Sequence, residues 1–306
     1  MHPRPTDLPT ELDDAMVVLQ PGSGGQQVSD HEFGQFQRLI HEESGIHLTQ
    51  VKKSLLTGRL QARLRELGIS SFAGYLAVVR RDRHELQEMI DRICTTETRF
   101  FREPAHYEFL ARELLPVYIQ RANRGARPRS LRIWSAACAT GEEPYSLAMV
   151  AERYMPKTLG WNVEIHATDL CKRALRQALS GLWPIEQASQ IPEYYRKRFM
   201  LRGVRERART MAAGTQIRQL IRFRHMNLMS GLYPVRGPFD IIFCRNVLIY
   251  FKRTTRQQVI GRLFDHLAVD GYLFLGHAES LHHDPVAATQ VFPTVYTRAP
   301  SATEAR

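Results

Sequence analysis

Four stretches of the 306-residue sequence set chemically able side chains at the ends of apolar runs. The first is Trp134-Ser135-Ala136-Ala137-Cys138-Ala139-Thr140-Gly141-Glu142-Glu143-Pro144-Tyr145. Small residues such as Ala137 let a ligand come close to the backbone. Only Gly141 is glycine, so this is no G-x-G-x-x-G dinucleotide fingerprint. Glu142 and Glu143 would repel a pyrophosphate and suit a cation, such as the sulfonium and ammonium of S-adenosylmethionine. The plainer alternative is a tight turn with two solvated acids, which a helix dipole also favours. The second stretch is Ala167-Thr168-Asp169, an acid at a strand end, placed to accept from ribose hydroxyls. Such an acid equally caps a following helix. In the third, Arg245 and Asn246 leave the apolar run Ile241-Ile242-Phe243-Cys244, either to face a ligand or to end the sheet. The fourth, Thr95 to Glu103, interleaves hydroxyls, aromatics and arginines. It reads as a lid or linker over a site, or as an amphipathic connector with Phe100 and Phe101 in the core.

The elements that must position these groups are legible as periodicities. Short apolar runs at 131–135, 163–167, 239–244 and 272–275 predict strands, and helices are predicted over 105–122, from Glu142, over 171–180 and over 254–268. Pro144 suits a first helical turn. Strands alternating with helices indicate an α/β fold with a parallel sheet covered on both faces, and ligands then sit beyond the carboxyl ends of the strands.

Residues 28–93 instead predict a small all-helical domain. Ser29 and Glu32 form a capping box, Phe33, Phe36 and Ile40 recur at helical spacing, and Gly45 ends the helix. A helix over 49–67 carries an apolar stripe of Leu56, Leu60, Leu64 and Leu67, with Lys52, Arg59 and Arg63 on one flank. Helices over 71–81 and 83–93 follow. Residues 94–104 form the linker and 105–300 the second domain, within which weak alternation over 215–223 predicts a hairpin inside an inserted segment at about 202–224. Residues 1–27 and 301–306 read as tails.

Net charge is +11, from 42 Lys and Arg against 31 Asp and Glu, which points to an acidic partner: nucleic acid, a membrane surface or an acidic protein. Seven arginines fall within 202–224 (Arg202, Arg205, Arg207, Arg209, Arg218, Arg222, Arg224), against one acid, Glu206. With 43% hydrophobic and 24% charged residues the chain is neither disordered nor membrane-spanning, since no apolar run approaches the roughly 20 residues a span needs. The acidic start lacks a secretory pattern. The four cysteines form no C-x-x-C pair and read as reduced thiols of a cytoplasmic protein.

Four blocks together resemble the CheR-type chemotaxis methyltransferases: Thr-Glu-Thr-Arg-Phe-Phe-Arg-Glu (96–103), Trp134 to Ser146, Ala167 to Asp169, and Phe239 to Phe251. The resemblance covers about residues 28–299. It implies a doubly wound, Rossmann-like class I methyltransferase sheet with a small all-α N-terminal domain and an inserted small β-subdomain. It also implies methyl transfer from S-adenosyl-L-methionine, leaving S-adenosyl-L-homocysteine, to glutamate side chains of a chemoreceptor's cytoplasmic domain. By position, Thr96, Thr98 and Arg102 would line the cofactor pocket, Ala137 would approach the cofactor and Glu143 would meet its ammonium. Asp169 would hold the ribose, Asn227 and Leu228 would flank the adenine, and Arg245 and Asn246 would close the site. Tyr250 would lie near the transferred methyl, and Arg102 would orient charge. Lys52, Arg59 and Arg63, in the basic helix thought to touch the receptor, would bind substrate, and the inserted β-subdomain would dock on receptors. The family often has Asn where this chain has Thr96.

A glutamate acceptor with a pKa near 4.3 is already ionised, so transfer needs alignment and water exclusion, not a base. The chain offers no nucleophile–base dyad, which agrees with that chemistry. It is expected to act as a monomer, without metal, nucleic acid or membrane insertion. A nucleic-acid methyltransferase and a noncatalytic sensor of S-adenosylmethionine or its product are the competing readings.

Overall fold

A computed structural model describes residues 27–299 except positions 283 and 285; the tail calls at 1–26 and 301–306 lie outside the described residues. The helical domain contains α1 (Asp30–Ser44), α2 (Lys53–Leu67), α3 (Phe72–Arg81) and α4 (Arg83–Ile93). The Ser29–Glu32 capping box starts α1, and Gly45 ends it in the left-handed region at φ 74°. Phe33, Phe36, Leu56, Leu60, Leu64, Phe72, Tyr75 and Met89 share one buried cluster. Leu67, placed in the α2 stripe on spacing, is instead 39% exposed at the helix end.

The second domain opens with α5 (Pro104–Phe109), which continues through a π-turn (Leu110–Leu114) into α6 (Leu115–Asn123). Then come β1 (Ser130–Ala136), α7 (Glu142–Tyr154), β2 (Asn162–Asp169), α8 (Lys172–Ser180), β3 (Leu182–Pro184) and α9 (Glu193–Phe199). They are followed by β4 (Met200–Arg202), β5 (Thr210–Ala213), α10 (Thr215–Arg218), β6 (Ile221–His225), β7 (Phe239–Cys244) and α11 (Arg253–His266). The described chain closes with β8 (Leu267–Leu275), β9 (Ala288–Phe292) and β10 (Val295–Arg298).

Seven strands form one sheet in the order β6-β2-β1-β7-β8-β10-β9. The first five run parallel, β10 is antiparallel to β8, and β9 is antiparallel to β10. Strand residues of opposite parity enter opposite cores. Ile133, Ile241, Phe243 and Phe274 pack in one cluster with Leu147 and Val150 of α7. Trp134, Ile242, Leu273 and Leu275 pack in another with Val259, Ile260 and Leu263 of α11. The sheet is therefore covered on both faces. Strand order reverses between β1 and β7, and a crevice opens at their carboxyl ends.

Two sequence expectations are corrected. The inserted subdomain is a three-stranded antiparallel sheet, β3-β5-β4, beginning at Leu182 and not at residue 202. Its first strand is three residues ending in Pro184, too short to alternate, yet Trp183 is buried. The predicted 215–223 hairpin does not form. Thr215–Arg218 is a helical turn, and Ile221–His225 pairs in parallel with β2 as an edge of the main sheet. Its weak alternation reflects one buried face and one solvated face.

One carboxylate ties the two domains together. Asp91 of α4 is 1% exposed and accepts from the backbone N–H groups of Lys172 and Arg173, at 2.9 Å each. It thus caps α8 of the neighbouring domain. Gln87 reaches from the same helix to the Leu170 carbonyl at 3.1 Å. Helix N-caps contribute about 0.5–2 kcal/mol. Asp91→Ala should therefore lower stability by about 1–2 kcal/mol, read as a lower urea midpoint, and Asp91→Asn, which keeps an acceptor, should lose less.

Candidate functional site

The crevice at the carboxyl ends of β1, β2 and β7 is one cavity, closed on its outer side by the linker and by the helical domain. Its lining includes Lys52, Thr96, Thr98, Arg102, Ala137, Glu143, Asp169, Asn227, Leu228, Arg245, Asn246 and Tyr250. These residues come from segments up to about two hundred positions apart in the sequence, and the doubly wound topology converges them.

The floor is built from turns that few side chains tolerate. Of the residues with positive φ, Ala137, Ala139 and Asn246 line this cavity, and Phe101 and Glu103 flank its lining residue Arg102. Left-handed conformations cost a non-glycine residue of order 1 kcal/mol or more and gather at functional sites. After β1, the N–H groups of Ala137 and Cys138 both donate to the Thr168 carbonyl, at 2.8 and 3.0 Å. That turn places small side chains over the crevice. Gly141 adopts φ 100°, and a Cβ there would lie 2.9 Å from that of Ala178, so α7 starts tight against α8.

Asp169 ends β2. One of its oxygens accepts from Ala139 N–H and the other from Cys171 N–H, each at 2.8 Å. A carboxylate has about four acceptor positions, so capacity remains for ligand hydroxyls. Burial is the dominant influence on this group and pushes its pKa up to about 6, against the two backbone donors. The strand-end acid thus lines the cavity and also pins the turns beside it.

Glu143 is also pushed above the usual carboxylate range by burial, although Arg245 opposes this. It accepts from Ser135 Oγ at 2.8 Å and pairs with Arg245 at 3.2 Å. Glu142 points elsewhere, accepting from Thr140 Oγ1 at 2.7 Å.

Arg245 is 1% exposed at its side chain and lies 2.8 Å from Glu103. It also donates to the Arg102 carbonyl. Burial works against the charge of Glu103, but Arg245 outweighs it and holds this carboxyl below the usual range. Thus Arg245 is a strut between the linker and α7. Asn246 follows at φ 57°, with its Nδ2 3.4 Å from Glu103.

Glu103, Ser135 and Glu279 are the structural supports that residue-by-residue reading passed over. Glu279 is fully buried and accepts from the N–H groups of Asn246, Val247, Leu248 and Gly276 at 2.7–3.0 Å. Its signal in the sequence was an acid three residues past Gly276, where a Cβ would come within 2.5 Å of Asn246.

The helical domain contributes the outer wall. Asn227 donates to the Glu43 carbonyl at 2.6 Å, and His47 N–H donates to the Tyr250 carbonyl at 2.7 Å. Lys52 sits 5.0 Å over the Tyr250 ring, and Arg102 reaches the Glu97 carbonyl at 3.1 Å. Arg59 and Arg63 do not line this cavity. Arg59 donates to the Ile93 carbonyl at 2.5 Å and faces an adjoining cleft.

Arg63 is engaged in structure. It holds buried Glu85 through two bonds of 3.0 and 2.6 Å, while Tyr75 donates to the same carboxylate at 2.7 Å. Glu85 is 4% exposed, so the arginine expected to touch substrate serves the helical core.

The cavity's lining is mixed. Partly buried Glu143 and Asp169 line it from the sheet side, where Arg245 also stands, and partly buried Lys52 and Arg102 line it from the helical domain and the linker, beside Glu97. A floor that raises carboxyl pKa values is one whose charges are under-compensated, and a cation placed there is stabilised. S-adenosylmethionine, with an ammonium and a sulfonium, fits that donor set, and the ribose fits the spare acceptors of Asp169.

Comparison with known proteins agrees with this geometry. Residues 96–297 match the family model described as CheR methyltransferase, SAM binding domain, and residues 31–94 match CheR methyltransferase, all-alpha domain. The chain is 37% identical over 271 residues to chemotaxis protein methyltransferase 2 of Pseudomonas aeruginosa, covering 88% of this chain and 93% of that one. It is 36% identical over 272 residues to the chemotaxis protein methyltransferase of Escherichia coli, covering 88% and 91%.

Two expectations follow. Ribose hydroxyls that donated to Asp169 would favour its ionised form, so binding below about pH 6 would release a proton. Affinity for S-adenosylhomocysteine should rise toward pH 6, by at most about tenfold per unit, and level off above. Asp169→Ala should weaken binding by about 1–3 kcal/mol and remove most of that dependence; calorimetry across pH 5–8 checks both. Arg63→Ala should leave cofactor affinity intact and lower stability by about 1–3 kcal/mol, by stranding Glu85, as denaturant unfolding would record.

Proposed function

The chain belongs to the CheR methyltransferase family, and from that premise we propose that it methylates glutamate side chains of chemoreceptor cytoplasmic domains. Its cofactor is S-adenosyl-L-methionine. The observation behind the acceptor assignment is the mixed lining of the cavity: Glu143 and Asp169 on the sheet side for a cationic donor, and Lys52 and Arg102 of the helical domain and linker for an anionic acceptor.

Bound S-adenosylmethionine supplies an activated methyl carbon and a neutral thioether leaving group. The protein's task is then alignment and exclusion of water. Glu143, fixed by Ser135 and Arg245, receives the ammonium. Asp169, fixed by Ala139 and Cys171, holds the ribose. Thr96, Thr98, Ala137, Asn227, Leu228 and Asn246 complete the enclosure.

The acceptor carboxylate approaches on the side of Lys52, Arg102 and Tyr250. Arg102 orients it by charge, and Tyr250 lies beside the transferred methyl. The acceptor is ionised at neutral pH, so no proton has to be removed. The cavity's chemistry is consistent with that economy. Among the described lining residues there is no histidine, and burial pushes the Cys94 thiol well above its ordinary pKa, away from a thiolate nucleophile.

The product should be a base-labile ester. Label transferred from methyl-labelled S-adenosylmethionine to a receptor fragment should be released as volatile methanol when the pH is raised. Label that survives mild alkali would place the methyl on nitrogen and overturn the carboxylate assignment. Arg102→Ala should reduce kcat/KM by about tenfold or more, in line with loss of one orienting charge in a water-excluding site, with a smaller effect on S-adenosylhomocysteine affinity.

A further inference from the structure

Thr96 is the meeting point of three cavities. One is the cofactor chamber. A second is lined by Arg59, Arg92, Cys94, Thr95, Thr96, Glu97 and Arg173, and a third by Thr96, Thr140, Arg173, Ala174, Arg176 and Gln177. The second and third share Arg173 as well as Thr96. They therefore adjoin at these two residues, and together they are taken as one outer groove beside the chamber. One wall belongs to the helical domain, through Arg59 of α2 and Arg92 of α4. The other is the first turns of α8, through Arg173 and Arg176, which are three residues apart and therefore neighbours on one helix face.

The groove's charge is one-sided. Arg173 and Arg176 are exposed. Arg59 commits one nitrogen to the Ile93 and Cys94 carbonyls, and Arg92 commits one to Glu66 at 2.7 Å. A guanidinium has five donors, so each keeps donors for a ligand. Arg173 also reaches the Asp91 carbonyl at 3.4 Å. Glu97 is the one acid among the described residues lining either cavity.

We propose that α8, through Arg173 and Arg176, forms a second basic wall of the acceptor groove and grips acidic side chains of the substrate helix that flank the glutamate to be methylated. The inference rests on the methylation reading above and adds residues to it. Planar guanidinium groups match carboxylates bidentately, and a glutamate-bearing helix presents such groups at spacings of three and four residues. Apolar side chains are exposed at the start of α2, with Val51 at 88% and Leu55 at 41%; Leu55 also lines the chamber. Such contacts suit an amphipathic protein helix better than the uniformly charged backbone of a nucleic acid.

The test compares wild type, Arg176→Gln and Arg176→Glu on a chemoreceptor cytoplasmic fragment, with methyl transfer measured at low and high salt. Arg176 makes none of the cross-domain bonds, so its change leaves the Asp91 cap in place; unchanged S-adenosylhomocysteine affinity confirms an intact chamber. Arg176→Glu should raise KM for the fragment about fivefold at low salt, Arg176→Gln should fall between, and the differences should shrink at about 0.5 M salt. Equal KM values and equal salt slopes for the three proteins overturn the groove and leave the methylation reading standing. Failure of wild type to methylate any receptor fragment overturns that reading and the groove with it. Salt-sensitive binding of duplex DNA that Arg176→Glu abolishes, without a change in receptor KM, reassigns the groove to nucleic acid.

Discussion

The guanidinium of Arg245 is the point on which the site turns. It is almost wholly out of water, and removing such a charge from water is expensive unless partners surround it. Those partners are drawn from separate segments: Glu103 and the Arg102 carbonyl from the linker, and Glu143 from the start of α7. Satisfying one buried cation thereby fixes the linker against the sheet and the acid that faces the cofactor. It also leaves a surplus of negative charge, because Glu103 and Glu143 together exceed one guanidinium and Asp169 adds a third carboxylate nearby. The same requirement that holds the walls together makes the floor receptive to a cation.

Glu279 does for the backbone what Arg245 does for the side chains. By collecting the N–H groups at 246–248 it satisfies a turn that leaves the sheet with no strand to pair with. Asn246 can then hold its left-handed conformation. The strained residues around the chamber are held by buried hydrogen bonds of this kind, so the strain is supported by rigid surroundings and the lining is preorganised.

Much of this was legible in the chain itself. The apolar runs over 131–135, 163–167 and 239–244 pointed to strand ends, and a parallel sheet brings strand ends together. The polar residues just beyond those runs were therefore site candidates on position alone. Three things stayed hidden for physical reasons. Arg63 lies on the same flank of α2 as Lys52, and helical spacing says nothing of a buried glutamate approaching from α4. The first strand of the inserted sheet, Leu182 to Pro184, is too short for periodicity to register, and its pairing with β5 is a long-range event. Ile221 to His225 has a hairpin's weak alternation because an edge strand of a parallel sheet is also wet on one side.

The cap that Asp91 provides bears on how the protein can be taken apart. The segment 96–297 looks like a self-sufficient module by its match to a family model. Yet the first turn of its helix α8 finishes its hydrogen bonding on another module, and Leu170 packs against that module's apolar cluster. Excision would leave two amide groups unmet and an oily patch bare, immediately beside Asp169. The boundary drawn by sequence similarity thus cuts across hydrogen bonds and packing that α8 shares with α4. Grafting the catalytic part onto a foreign scaffold would require carrying α4 along with it.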